Sequence, residues 1–370
     1  MKVVLSFDSF KGNLTAREVC EMVRDGIGSV RPDVETVILP MADGGEGTAE
    51  AMMAALGGEW IPLTVTGPLP KMKVDAGYAW LPETKTAVVE MAVASGLPLL
   101  TPEQRDPMIA ITYGTGELIK AAVEKGAQKI LLTVGGSATV DGGVGAAEAL
   151  GWVFPSLGSH SMAASVSFPN LGKIIPPSDL KLPEIDVLCD VTNPLCGPNG
   201  AAQVYGPQKG ATPEMVEVLD GRLAALADAV KEQFGKDIRD VPGAGAAGGL
   251  AFGAMAFMNG KLVPGIDAVM AAVRLADALE GAVWVLTGEG KFDSQSVQGK
   301  VVDGVQRLAK AAGAKTGVIA GCVQLDEAEW RAAGIEWVAT LQPGEMTMEE
   351  SIARSRELLF EAAATFARGL

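Results

Sequence analysis

The sequence predicts an α/β fold built on parallel sheet, and three observations carry that expectation. Short apolar runs recur along the chain, each followed by a polar, glycine-containing loop and then by apolar residues at helical spacing. Aromatic residues make up only 5% of the chain, while Ala, Val, Leu and Gly abound, so small aliphatic side chains must fill the core. At roughly 150 residues per domain, 370 residues suggest about two domains.

In chain order, Val3–Phe7 reads as a strand and Asp8–Asn13 as its loop. Ala16, Val19, Cys20, Val23 and Ile27 then mark one face of a helix that Thr15 can cap. A second unit repeats the plan, with a strand at Thr36–Leu39, a loop at Pro40–Thr48 and a helix face on Ala49, Met52, Met53 and Leu56. The stretch 60–95 departs from it. Trp60–Thr66, Ala76–Leu81 and Thr86–Ala92 are strand-like and punctuated by prolines, which suggests entry into a second domain. Thr115–Lys125 predicts a helix.

Lys129–Leu150 is the densest stretch. Ile130, Leu131, Leu132 and Val134 form the short apolar run of a parallel strand covered on both faces. Gly135-Gly136-Ser137-Ala138-Thr139 follows, then Asp141-Gly142-Gly143 and a helix start. Glycines admit close backbone approach, the hydroxyls add donors, and a helix N-terminus favours anions, so this loop predicts a phosphate cradle. No lysine stands where a P-loop needs one. Residues 151–186 are rich in Ser, Pro and Gly and read as irregular. Ile185–Cys189 is a short strand opening onto Asp190–Leu195. Thr212 and Pro213 begin a long helix to about Phe234, and Gly243–Met258 is a close-packed glycine/alanine helix or helix pair. Asp267–Leu279 reads as helical. The last third returns to the opening plan: strands at Val283–Leu286, Lys315–Ala320 and Trp337–Leu341, and helices at Lys300–Ala312 and Met348–Ala367.

The formal net charge of −15 removes any general attraction for nucleic acid or an anionic membrane. An anionic ligand must be held by local groups, and a metal cation would help. The four cysteines form no CxxC pair and suit a reduced, cytoplasmic setting. The opening MKVVLSFDSF is too short and too soon acidic for a secretory leader. A single histidine, His160, argues against a His-dependent triad or multi-His metal site.

Loops after parallel strands converge at the carboxyl edge of an open sheet. If the strands before Asp8–Asn13, Ala42–Thr48, Gly135–Gly143 and Thr287–Asp293 share one sheet, that edge gathers Asp8, Lys11, Asp43, Glu46, Ser137, Thr139, Asp141, Glu289 and Asp293. Carboxylates beside a phosphate cradle suggest a bridging Mg²⁺, and Lys11 or Lys300 could offset phosphoryl charge. Asp8 and Asp43 could equally cap helices, and Asp190 with Asn193 could form an Asx turn.

These loops resemble those of the bacterial glycerate kinases (glycerate 2-kinases). The resemblance rests on DSFKG at Asp8–Gly12, PMADGGEGT at Pro40–Thr48, YGTGELI at Tyr113–Ile119 and GGSAT with DGG at Gly135–Gly143. CDVTNPL at Cys189–Leu195, GPQKGA at Gly206–Ala211, GAGAAGG at Gly243–Gly249 and TGEGKFDSQS at Thr287–Ser296 extend it. It implies phosphoryl transfer from ATP to D-glycerate, giving 2-phosphoglycerate, with Mg²⁺ as cofactor. It also implies a Rossmann-like, doubly wound parallel-sheet domain and a second, inserted α/β domain, with the active site in the cleft between them. The expected division is 1–63, 109–150 and 265–370 for the first, and 64–108 with 151–264 for the second. Val140 stands where that family often has Asn, and Val302 where it commonly has Pro.

On this reading Gly135, Gly136, Ser137, Ala138 and Thr139, with Gly288 and Lys300, hold the nucleotide. Glu289 and Asp293, with Asp190 as a further candidate, hold Mg²⁺. Asp8 or Asp43 orients or deprotonates the glycerate hydroxyl, Lys11 or Lys209 pairs with its carboxylate, and Asn193 joins the set. Phosphoryl transfer needs positioning and charge neutralisation, so these residue types suffice. Two rival readings are a two-lobed, non-catalytic small-acid-binding regulator and a nucleotide-dependent oxidoreductase. The latter lacks a GxGxxG opening the first helix.

Overall fold

The computed structural model describes residues 1–10, 12–155, 172–344 and 346–370. Lys11 and His160 lie outside the described residues, as does much of the stretch read as irregular. The chain divides into two compact units: Met1–Asp43 with Glu50–Gly57 and Ile266–Leu370, and Gly44–Ala49 with Gly58–Gly265. The strands in chain order are β1 (Lys2–Leu5), β2 (Glu35–Ile38), β3 (Glu59–Thr66), β4 (Lys73–Leu81), β5 (Thr86–Glu90), β6 (Lys129–Thr133), β7 (Glu184–Leu188) and β8 (Lys261–Val263). They continue as β9 (Trp284–Thr287), β10 (Lys291–Phe292), β11 (Lys315–Ala320), β12 (Cys322–Val323) and β13 (Trp337–Thr340).

The first unit holds an all-parallel sheet in the order β13-β11-β9-β1-β2. Counted within the unit this is 2-1-3-4-5, the flavodoxin-type order of doubly wound sheets, whose direction reverses between β1 and β9. The period-2 alternation of buried strands supplies both faces. Val3, Leu5, Leu286 and Ile319 pack with Val19, Val23 and Ile27 of helix Ala16–Val30 and with Leu359 and Ala363 of the C-terminal helix. Val318 and Ala320 point the other way and pack with Phe292, Val302 and Ile335. A Cβ at Gly26 would lie 2.5 Å from the Phe360 carbonyl oxygen, so glycine there allows the two helices their close approach. Helix Ala16–Val30 starts with the expected Thr15 cap, closed reciprocally by Glu18.

The second unit holds a mixed sheet in the order β3-β4-β5-β6-β7-β8. Strands β3, β4 and β5 form an antiparallel meander, as the change of pattern at 60–95 suggested, and β5 to β8 are parallel. Helix Pro213–Phe234 starts at Thr212 as expected and contributes Leu219, Leu223, Leu226 and Val230 to this core. The glycine/alanine stretch folds as Ala246–Phe257 with left-handed residues at Ala247, Gly248 and Gly249, which divide it.

The expectation of one shared sheet is corrected here. Strand β6 pairs with β5 and β7, whereas β1 pairs with β2 and β9. The stretch 109–150, expected with the first unit, lies in the second, and so do 58–63. A strand apolar on both faces carries no label for its neighbours, so its sheet could not be read locally. Two helices are also shorter than read. Asp267–Leu279 resolves into Gly265–Ala272 and Leu275–Leu279 around a left-handed Arg274, and the closing helix breaks at Arg354. Val140 and Val302, the two departures from the family pattern, are buried in the cores of the second and first units.

Candidate active site

In the first unit the carboxyl ends of all five strands open onto one cavity of about 350 Å³. Asp8 follows β1, Asp43 follows β2, Glu289 follows β9, Gly321 follows β11, and Leu341 and Gln342 follow β13. A crevice outside the strand ends at the point of reversal is where open α/β sheets bind ligands. The loops there are tightly tied. The Asp8 N–H donates to the Gly288 carbonyl at 3.0 Å, extending the β1–β9 ladder. The short pair β10–β12 holds the Glu289 loop, with the Gly321 N–H on the Glu289 carbonyl at 3.2 Å. Gly288 is needed for this packing, since a Cβ there would sit 1.8 Å from the Ile319 carbonyl oxygen.

Asp8 is buried, and its Oδ1 accepts the Ser9 N–H at 2.7 Å. Glu289 is half-buried, and its Oε1 is sealed from solvent without a hydrogen-bond partner among the described residues. Burial pushes its carboxyl up; Ser296 and Lys300 pull it down, and Asp293 and Asp43 add to the rise. Lys300 lines the same cavity as the residue preceding helix Val301–Ala312. Asp293, the other residue read as a metal ligand, is engaged within its own loop. Its Oδ2 pairs with Lys291 Nζ at 2.9 Å and its Oδ1 accepts the Gln295 N–H at 2.9 Å, and Lys291 holds its carboxyl below the ordinary value.

In the second unit the Gly135–Thr139 turn follows β6. Lys209, 2% exposed, donates from Nζ to Ser137 Oγ at 2.6 Å and to the Thr139 carbonyl at 2.8 Å. Burial pulls this ammonium down to about 7, against the attraction of Asp141. Asp141 gathers donors from Thr112 and from the start of the next helix. Its Oδ1 accepts the Gly143 N–H, and its Oδ2 accepts the Thr112 N–H and hydroxyl and the Gly145 N–H, all within 3.2 Å. The N–H groups at the start of helix Val144–Ala149 thus already face a carboxylate of this chain. The turn itself is pinned by the Ala138 N–H on the Ser95 carbonyl and the Leu97 N–H on the Gly136 carbonyl. Thr139 Oγ1 is buried without a partner among the described residues.

After β7, the exposed Asp190 accepts the Gly265 N–H through Oδ1 at 2.8 Å. The Asn193 amide donates to the Asn199 carbonyl at 2.8 Å and accepts the Tyr205 hydroxyl at 2.7 Å, so both its ends fasten the 189–205 loop. The structure thus brings Asp8, Asp43, Glu289 and Lys300 to one cavity, and Ser137, Thr139 and Lys209 to one cluster. Sequence reasoning missed Ser296, whose hydroxyl accepts the Asp293 N–H at 3.0 Å; it sat within the quoted TGEGKFDSQS motif. It also missed Glu90, a buried carboxylate at the end of β5 that accepts the Ala49 N–H at 3.0 Å. A lone acid closing an apolar strand was the available signal.

Fold and cavity define an α/β enzyme whose acidic and basic side chains meet at the reversal point of a parallel sheet. A family model for the Glycerate kinase family matches residues 3–370. The chain is similar to a glycerate 2-kinase of Escherichia coli strain K12, at 41% identity over 100% of this chain and 99% of the relative. It is 45% identical to a glycerate kinase of Haemophilus influenzae, over 88% of this chain and 87% of the relative. A crystal structure of a "putative glycerate kinase 2 from Salmonella typhimurium LT2" superposes with a TM-score of 0.87 at 38% identity, covering 100% of this chain and 98% of that one. The chain belongs to the glycerate kinase family.

Proposed function

We propose that this protein is a glycerate kinase that transfers the γ-phosphoryl group of ATP to the 2-hydroxyl of D-glycerate, releasing 2-phosphoglycerate and ADP. The observation that carries the chemistry is the joining of Asp8, Asp43, Glu289 and Lys300 in one cavity. The substrate is carried by the family match and by the E. coli relative's name.

The donor set fits Mg²⁺. Glu289 Oε1 is buried without a partner among the described residues, and Asp43 lines the same cavity closely enough to act on it electrostatically. Among the described residues no three His, Cys, Asp or Glu side chains group as a complete metal cage. Mg²⁺ needs none, because it takes one or two carboxylates and completes its shell with phosphate and water. We assign Glu289 as the protein's metal ligand, with Asp43 beside it. Asp293, engaged by Lys291 and Gln295, holds the loop instead. When bound, the ion offsets charge on the phosphate oxygens.

The rest falls to the chain's own side chains. Lys300 faces the negative charge that develops on the transferred group. Asp8, held by the Ser9 N–H, is the base that accepts the glycerate hydroxyl proton; Asp43 is the second candidate. In the second unit, the Lys209 ammonium holds the Ser137 hydroxyl and the Thr139 carbonyl together. No helix of the described residues is long and apolar enough to cross a membrane. We further propose a cytoplasmic location.

The test couples ADP release to D-glycerate addition, and locates the phosphoryl group on the product by phosphorus-coupled proton NMR. ADP release that ignores D-glycerate would overturn the substrate, and a signal from the 3-phosphate would overturn the position.

A further inference from the structure

The first unit's cavity has two unlike ends. Glu289 and Asp8 lie over β9 and β1. Leu341 and Gln342 follow β13, at the sheet edge, with β11 between β13 and β9. At about 4.8 Å between strands, β13 lies some ~10 Å from β9 and ~14 Å from β1. The far end is neutral and apolar. Leu341 forms its floor, and Met348 and Ile352, four residues apart on helix Met348–Ala353, line it while 61% and 49% exposed. The Ser351 hydroxyl donates to the Leu341 carbonyl at 2.9 Å and fastens that helix to the loop. Gln342 also lines the cavity, with its Nε2 donating to the Met346 carbonyl at 2.9 Å.

A three-carbon acid would fill only a fraction of about 350 Å³ and has nothing to place against exposed Met and Ile. A nucleotide has the matching polarity, with phosphates at one end and a flat apolar base with an exocyclic donor at the other. We infer that this cavity takes the nucleotide, with its purine against Leu341, Met348 and Ile352, its amino group toward Gln342 and its phosphates toward Glu289 and Lys300. The inference rests on the kinase reading above and names the subsite of the phosphoryl donor. Of the nucleotide residues read from the sequence, it keeps Lys300 and the Gly288 loop of the first unit and drops the Gly135–Thr139 turn.

Met348 and Ile352 are exposed, so changing them spares the core. The experiment compares the wild type with Met348→Asp, Ile352→Asp and a control, Val218→Asp, at an exposed residue of helix Pro213–Phe234 outside the cavity. It measures ADP binding by calorimetry without glycerate, and KM for ATP and for D-glycerate separately. Each aspartate variant is expected to weaken ADP binding and raise KM for ATP by about tenfold or more, about 1.4 kcal/mol. KM for D-glycerate should stay within about twofold, and Val218→Asp should behave as wild type. Unchanged ADP affinity in both aspartate variants, or a shift in KM for D-glycerate alone, overturns the assignment. If the wild type turns over no D-glycerate, the kinase reading fails, while the calorimetry still decides the nucleotide subsite.

Discussion

Lys209 Nζ and Ser137 Oγ lie 2.6 Å apart in the interior of the second unit, and the same ammonium reaches the Thr139 carbonyl at 2.8 Å. Two residues of one turn and a lysine some seventy positions later are thus one hydrogen-bonded object. Burial lowers the ammonium from 10.5 to about 7. The unfolded chain therefore binds more protons than the folded one between pH 7 and 10.5, and stability rises with pH across that window. Each tenfold change in proton affinity is worth about 1.4 kcal/mol, so the whole effect is on the order of 5 kcal/mol. Below pH 7 both states are charged and this contribution is flat. Urea unfolding at pH 7 and pH 9.5 should show the rise in wild type and a clear reduction in Lys209→Met. Equal pH dependence in the two would show that Lys209 keeps an ordinary proton affinity.

That lysine also marks the limit of what the sequence could say. The sequence offered Lys209 as a partner of the glycerate carboxylate, because nothing local shows that its side chain turns inward toward a strand end seventy residues earlier. Elements set by their own residues were legible. The Thr15 and Thr212 caps, the apolar face of helix Ala16–Val30 and the strand before Gly135 all lie where periodicity and capping placed them. The cavity acids Asp8, Asp43 and Glu289 were legible too, because strand-end loops in parallel sheets collect ligand groups. Illegible were the features set at a distance: the sheet of β6, the four donors gathered by Asp141, and the engagement of Asp293 by Lys291.

Asp141 is expected to be structural. Its four acceptor contacts join the Thr112 corner to the start of helix Val144–Ala149. Asn keeps the shape but turns an amide donor toward N–H groups. Asp141→Asn should therefore cost about 3 kcal/mol or more, as for other buried networks broken on one side. Denaturant titration checks this, and a loss below about 1 kcal/mol would mean that the carboxylate is not the anchor.

Two glycines should respond in opposite directions. Gly288→Ala drives a Cβ into the Ile319 carbonyl and disturbs the backbone that receives the Asp8 N–H. It should destabilise by several kcal/mol, about 3 or more. Gly221 sits inside helix Pro213–Phe234, and a Cβ added there would meet no heavy atom within 4 Å. Gly221→Ala should therefore stabilise by about 0.5–1 kcal/mol. Matching effects of the same sign would undo the packing argument for Gly288.

Glu289→Gln should separate stability from activity. Desolvation raises the Glu289 carboxyl, so the folded state holds that proton to higher pH than the unfolded chain does. Stability from this group is present at low pH and falls as pH rises past its ordinary value, 4.5, towards the raised one. At neutral pH the buried charge is a net cost, which glutamine removes. Glu289→Gln is therefore expected to melt no lower than wild type while its turnover drops by about a hundredfold or more. Mg²⁺ gives a readout independent of turnover: added alone, it should raise the melting temperature of wild type and leave the variant unmoved. A variant that Mg²⁺ stabilises as strongly as wild type would remove Glu289 from the metal role and shift that assignment to Asp43.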